Sequence, residues 1–168
     1  MAQDKLAYKE VKSEEDVAQT AALAKEIWTK HYVPIVGKEQ VDYMLAKFQN
    51  KEAMTQQIEE GYEYTLWSVD KPIGYLSLHG RKDHLFISKI YLLLQERGKG
   101  YGRQMMQYAI SQATAKNYSR IRLTVNKYNN KTIAAYQKLC FEKRRALVAD
   151  IGQGYVMDDF EMELEITT

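Results

Sequence analysis

The chain has 168 residues, 45% of them hydrophobic, and its 24 Lys and Arg against 22 Asp and Glu leave a net charge of +2. That length suits one domain, residues 1–168, with enough apolar side chains for a core. The interspersed charges exclude the clustered basic face that a nucleic-acid partner needs. A single cysteine, Cys140, excludes an internal disulfide framework and suits a reducing compartment. MAQDKLAYKE has no apolar secretory run, and no stretch approaches the ~20 apolar residues of a membrane span. The expectation is a cytoplasmic protein with no membrane partner.

Leu6–Val11 alternates as a first strand, and Ser13-x-x-Asp16 has the form of a helix start. The helix is expected to run to about Lys30, with Val17, Ala21, Ala24, Ile27 and Trp28 on one face. VPIVGKEQ reads as a break, its proline following an extended residue. Val41, Met44, Leu45 and Phe48 mark a second helix, and Lys51–Glu60 a short third one ending at Gly61. The period then changes from 3.6 to 2. Tyr62–Val69, Gly74–His79 and His84–Leu94 read as strands, joined by turns at Asp70-Lys71-Pro72 and GRKD. A helix from the glycine-rich stretch to about Lys116, a strand at Ile121–Val125 and a helix at Asn129–Leu139 follow. Phe141–Asp150 and Tyr155–Ile166 close the chain as a strand pair around a GQG turn. An antiparallel run followed by β-α-β-α implies a mixed α/β (α+β) sheet flanked by helices.

LLLQERGKGYGRQ at Leu92–Gln104 places Gly98, Gly100 and Gly102 between Arg97, Lys99, Tyr101 and Arg103, where a strand feeds a helix. Successive glycines at such a turn expose backbone N–H groups, and the helix dipole adds positive potential. A phosphate ligand fits this arrangement. A Walker loop would need Ser or Thr after a Gly-Lys pair, and a dinucleotide fingerprint would need glycine at Arg103 and an acid near Arg122; neither is present. A glycine-rich turn with no ligand is the competing reading.

Arg97-x-x-Gly100-x-Gly102 after IYLL resembles the acyl-CoA loop, [QR]-x-x-G-x-[GA], of the GNAT superfamily of N-acetyltransferases. NKTIAAYQKLCF at Asn130–Phe141 is similar to that family's second motif, with Cys140 where glycine is usual. The element order also matches over nearly the whole chain, and the texture is closest to small bacterial polyamine-type acetyltransferases. The resemblance implies a GNAT-like sheet with splayed central strands, and acetyl-CoA as cosubstrate. Its pyrophosphate would lie on the backbone of Gly98, Lys99, Gly100, Tyr101, Gly102 and Arg103, with the side chains of Arg97 and Arg103 in reach. Lys99 reads equally as a solvated surface charge. Leu92, Leu93 and Leu94 would offer backbone groups to the pantetheine arm, in the manner of strand addition.

The resemblance also makes Tyr136 the proton donor to the departing thiolate. A phenol, ionising near ~10, stays protonated at neutral pH. The same residue fits an ordinary buried stripe with Ile133, Leu139 and Cys140. Asn129 would cap the helix and touch the cofactor, with Asn130 its competitor one residue away. Relatives carry a carboxylate near the position of Phe86, but HLFISKIYLLL has no acid, so the general base stays unassigned. Family geometry points the acceptor site to Trp28, His31 and Tyr32 and to Asp158, Asp159 and Glu161 on the last strand. Carboxylates beside aromatics suit a cationic amine, although such groups are commonly core or solvated surface. His79 and His84, without a third ligand, read as hairpin residues and not as a metal site.

Together these point to direct transfer of acetyl from acetyl-CoA to a small primary amine or polyamine in a ternary complex. A protein lysine or N-terminal amine is the alternative acceptor, and a non-catalytic acyl-CoA sensor is the alternative class. The resemblance further implies that homodimers form if the final strand lies at a sheet edge.

Overall fold

The computed structural model of the protein describes residues 5–166, so the opening MAQD of the leader reading lies outside them. Thirteen elements follow, twelve in the expected order and a 3-10 turn at Leu94–Glu96 where the strand was expected to reach Leu94. They are β1 (Ala7–Glu10), α1 (Glu14–Val36), α2 (Lys38–Phe48), α3 (Lys51–Glu59), β2 (Glu63–Val69), β3 (Lys71–Gly80), β4 (Leu85–Leu92) and a 3-10 turn (Leu94–Glu96). Then come α4 (Tyr101–Ala115), β5 (Arg120–Asn126), α5 (Asn130–Lys138), β6 (Glu142–Gly152) and β7 (Tyr155–Glu165). This is the expected α/β fold. The residues fall into two compact units, one holding 5–79 with Lys89–Met105, the other Gly80–Ser88 with 106–166. Among the described residues no helix is long and apolar enough to cross a membrane.

In the first unit the strands neighbour in the order β1, β2, β3, β4. β1 pairs antiparallel with β2 from Ala7↔Ser68 to Glu10↔Thr65, and β2 with β3 from Glu63↔Leu78 to Val69↔Lys71. The Ser-x-x-Asp signal is a true capping box: Ser13 Oγ accepts the Asp16 N–H at 3.0 Å, and Asp16 Oδ2 accepts the Ser13 N–H at 3.3 Å. The expected end near Lys30 and break at VPIVG are wrong by nearly two turns, because α1 continues through Pro34 and ends at Val36, before Gly37. A proline this late forfeits one main-chain bond, while the last turns keep Ile27, Trp28 and Tyr32 buried. β3 likewise starts at Lys71 and not at Gly74. Asp70 alone, at φ 67°, makes the turn, and Pro72 faces Ser68 beside a bulge, where a missing N–H is tolerated.

Part of the polar interior of this unit is paired, while Ser77 Oγ and His79 Nδ1 are sealed without a hydrogen-bond partner among the described residues. Trp28 Nε1 donates to Tyr75 Oη at 3.1 Å, and Tyr75 Oη donates to Gln49 Oε1 at 2.9 Å. Tyr75, fully buried, has its ionisation pushed well up by desolvation.

In the second unit the order is β4, β5, β7, β6. β4 runs parallel to β5 over Leu85↔Ile121, Phe86↔Arg122 and Ile87↔Leu123, and both strands carry on past that ladder. β7 pairs antiparallel with β5 from Arg120↔Glu165 to Asn126↔Asp159, and with β6 on its other side. The final strand is therefore interior, and the outer strand is β6; the expectation that the final strand could pair with a second copy at an edge does not hold.

α5 ends in a Schellman motif. Cys140 N–H donates to Gln137 O and Phe141 N–H to Tyr136 O, each at 3.0 Å, with Cys140 at φ 73°. A side chain in that left-handed region carries a steric cost that glycine avoids. Cys140→Gly is expected to stabilise the protein by about 0.5–1 kcal/mol, read as a rise of about 2–3 °C in Tm.

Candidate active site

The glycine stretch folds as the spacing implies. Gly98 and Gly100 have φ of 80° and 86°, in the left-handed region, and α4 begins at Tyr101 directly after. The first helical bond from this end is Gln104 N–H to Gly100 O at 3.2 Å. Tyr101, Gly102 and Arg103 therefore occupy the first turn, whose N–H groups no helical carbonyl can reach. Among the described residues no acceptor takes the N–H of Gly98, Lys99 or Gly100 either. Six consecutive donors stand at the positive end of a 15-residue helix. A Cβ built at Gly98, Gly100 or Gly102 meets nothing within 4 Å, so the space over the loop is open to a ligand.

The basic side chains divide. Arg97 is half-buried, and its Nη1 lies 3.2 Å from His31 Nδ1. Guanidinium can only donate, so Nδ1 accepts and His31 carries its proton on Nε2. Loop and α1 are tied at that point. Lys99 is exposed and bonds Glu96 Oε2 at 3.1 Å, and Arg103 is exposed. At the end of β4, Leu93 N–H is committed to Ile73 O at 2.8 Å. Strand alternation turns the main-chain groups of Leu92 away from β3, while Leu94 is 54% exposed on the 3-10 turn.

Of the acceptor candidates in this unit, Trp28 and Tyr32 are buried against each other, with ring centroids 4.4 Å apart, and both pack on Tyr91. His31 stands edge-on to Tyr32 at 4.6 Å and keeps partial exposure. His79 stacks on Tyr62 at 4.2 Å.

The second unit carries Tyr136, Asn129 and Asp158. Tyr136 is half-buried in the last turn of α5, and its ring packs on buried Phe141 at 5.7 Å, completing the apolar contact of the Schellman motif. Asn129 is at the helix start but makes no side-chain capping bond, contrary to the expected cap. Its main chain makes the turn instead, the N–H donating to Asn126 O at 3.0 Å, and the side chain is buried. Asn130, the competitor, is exposed. Asp158 Oδ1 lies 3.0 Å from Lys127 Nζ. His84 Nδ1 is 2.8 Å from Asp83 Oδ1.

Of two buried ionisable groups, Lys89 escaped the sequence reading, and Asp159 was read only as an acceptor-site carboxylate. Lys89 on β4 is buried, its Nζ donating to Gln57 Oε1 at 2.7 Å over the Tyr64 ring, and desolvation pulls its pKa down to about 7. Asp159 on β7 is buried as well, and desolvation, helped by the charge of Asp158, pushes its carboxyl up to about 6. Ser-Lys-Ile amid leucines and a doubled aspartate were the signals available, but neither reports burial.

Residues 21–141 match the sequence profile of the acetyltransferase (GNAT) family. No curated protein matches the chain. Among solved structures the fold is similar to the PaiA N-acetyltransferase of Thermoplasma acidophilum in complex with coenzyme A. The TM-score there is 0.80 at 20% identity, covering 96% of this chain and 99% of that one. It is also similar to the ribosomal-protein-S18-alanine N-acetyltransferase of Escherichia coli, with TM-score 0.73, 14% identity and coverages of 98% and 96%. The profile match takes in both the glycine loop and the helix bearing Tyr136. The chain belongs to the GNAT acetyltransferase family and is an acetyl-CoA-dependent N-acetyltransferase.

Proposed function

We propose that the whole chain serves as one acetyltransferase domain whose acceptor is a small primary amine, a polyamine foremost, acetylated by direct transfer in a ternary complex. The observation that carries the reading is the row of six N–H donors from Gly98 to Arg103 that take no acceptor among the described residues. A pyrophosphate presents enough oxygens to accept from such a row, and the donors are oriented before the ligand arrives. Gly98, Gly100 and Gly102 keep Cβ atoms out of its way, and Arg97, Lys99 and Arg103 add charge nearby. Leu92 and Leu94 offer main-chain groups to the pantetheine arm, and Asn129 contacts the cofactor. When bound, acetyl-CoA supplies the activated acyl carbon.

The chain's own part in the chemistry is orientation and proton transfer. Expelling a thiolate is easier when its sulfur is protonated as the bond breaks, and Tyr136 is the group assigned to donate that proton. The Schellman motif fixes the main chain at Tyr136, which supports that role. His31 and Tyr32 are assigned to the acceptor, with Trp28 behind them as a packed wall. Asp158, engaged by Lys127, supplies negative potential for a cation.

The test is thiol release from acetyl-CoA against a panel of mono-, di- and polyamines, with lysine peptides beside them. Release with a few polyamines alone supports the proposal. Release with peptides alone moves the acceptor to a protein. Tight acetyl-CoA binding with no release for any acceptor makes the chain a sensor.

A further inference from the structure

Asp159 stands at a particular place in the second unit. β7 pairs with β5 in a register that sets Asp159 opposite Asn126, the last residue of β5. The parallel ladder to β4 covers only Ile121–Leu123 of β5, so Asn126 lies three residues beyond it, at the carboxyl end of the strand. In sheets with parallel strands that end is where ligands bind. The same end carries the turn into α5, because Asn126 O accepts the Asn129 N–H. Asp159 is thus built into the same strand end that leads to the helix bearing Tyr136.

Its surroundings are unusual for a carboxylate. The residue is only 7% exposed, and its carboxylate makes no hydrogen bond or ion pair with any described residue. Its oxygens are nevertheless not among the sealed, unpartnered atoms, so the small remaining exposure includes them. Nearby charges are committed elsewhere. Lys127, from the turn after β5, sits on Asp158 at 3.0 Å. On β6, Leu147 faces Asp159, and Arg144 and Arg145 are held by Glu161 at 2.8 and 3.3 Å. A buried acid without a partner is costly for folding and typical of functional sites.

We propose that Asp159 is the proton acceptor for the incoming amine, the role that Phe86 leaves open on β4; this rests on the acetyltransfer reading above. The acceptor arrives as R–NH₃⁺, and the Asp159 carboxylate takes one proton to give R–NH₂ and a neutral carboxylic acid. The nitrogen lone pair attacks the thioester carbon, and the C–S bond then breaks with its electron pair going to sulfur, which takes the Tyr136 phenolic proton. The second proton lost by nitrogen restores Tyr136, and Asp159 returns its own to solvent. Desolvation supports the assignment by placing the carboxyl in a range where it ionises at neutral pH yet still binds a proton.

The experiment compares pH profiles of wild type, Asp159→Asn and Asp159→Glu with the best amine, beside acetyl-CoA affinity by calorimetry. For Asp159→Asn, kcat at pH 7.5 should fall about 10²-fold, with acetyl-CoA affinity unchanged. The acid limb near pH 6 should vanish, and the deficit should shrink above pH 9.5, where the amine is supplied already neutral. An unchanged kcat, or a rise in KM alone, overturns the proposal while leaving the acetyltransferase reading intact; no turnover by wild type with any amine overturns both. Should Asp159→Asn fail to fold, the carboxyl carbon of Asp159 followed by NMR in wild type must titrate between pH 5 and 7, and its silence there also overturns the proposal.

Discussion

Tyr136→Phe is expected to slow turnover about 10²-fold or more while leaving acetyl-CoA affinity within about twofold of wild type. The substitution keeps the ring that packs on Phe141 and removes only the hydroxyl, so the cap of α5 and the fold should persist. Loss of an interaction made only as the C–S bond breaks lowers kcat and kcat/KM together. Loss of a binding contact would raise KM or the acetyl-CoA Kd instead. Steady-state thiol release with calorimetry separates the two, and a variant that merely binds acetyl-CoA more weakly would remove the proton-donor role.

Lys89→Met should produce the largest change in stability, and its sign depends on pH. In the folded protein burial pulls the ammonium pKa to about 7, whereas an unfolded lysine holds its proton to about 10.4. Between those values the unfolded chain binds more protons, so stability rises with pH over that window. It falls as pH drops from about 10.4 and levels off below about 7, where both states hold the proton. Wild type should therefore gain about 2–3 kcal/mol between pH 6 and pH 9, at about 1.4 kcal/mol per pKa unit. Lys89→Met should be nearly flat over this range and more stable than wild type at pH 6, since Gln57 Oε1 still accepts from Tyr64 Oη. Urea denaturation at the two pH values checks it. An unchanged slope would mean that the ammonium is better solvated than its 5% exposure implies.

Most of the architecture could be read from local patterns because local chemistry decides it. The capping box at Ser13, the shift from period 3.6 to 2 after Gly61, and the glycines before α4 each act within a few residues of themselves. The departures share another cause. Pro34 looks like a helix terminator until the burial of Trp28 and Tyr32 holds the last turn in place, and those contacts come from the remote Tyr75 and Tyr91. Asn129 has the residue type of a cap, but its buried side chain makes no capping bond. The site divides in the same way. The loop was legible because a run of N–H groups bared by glycines is a property of consecutive residues. The burial of Lys89 and of Asp159, which the sequence offered only as an acceptor carboxylate, was not, because a lysine or an aspartate is ordinary until strands from distant parts of the chain strip its water away.

The glycine loop has a further consequence for how the enzyme works in time. On the assignment proposed above, its donors hold the pyrophosphate, a part of the cofactor that the reaction never alters. A loop of this kind is blind to whether the thiol at the far end still carries an acetyl group. Spent coenzyme A is then held about as firmly as the fresh donor, and the two compete for the same six N–H groups. On that assignment the ratio of acylated to free coenzyme A in the surroundings, more than the absolute supply of donor, is expected to set how fast this acetyltransferase runs.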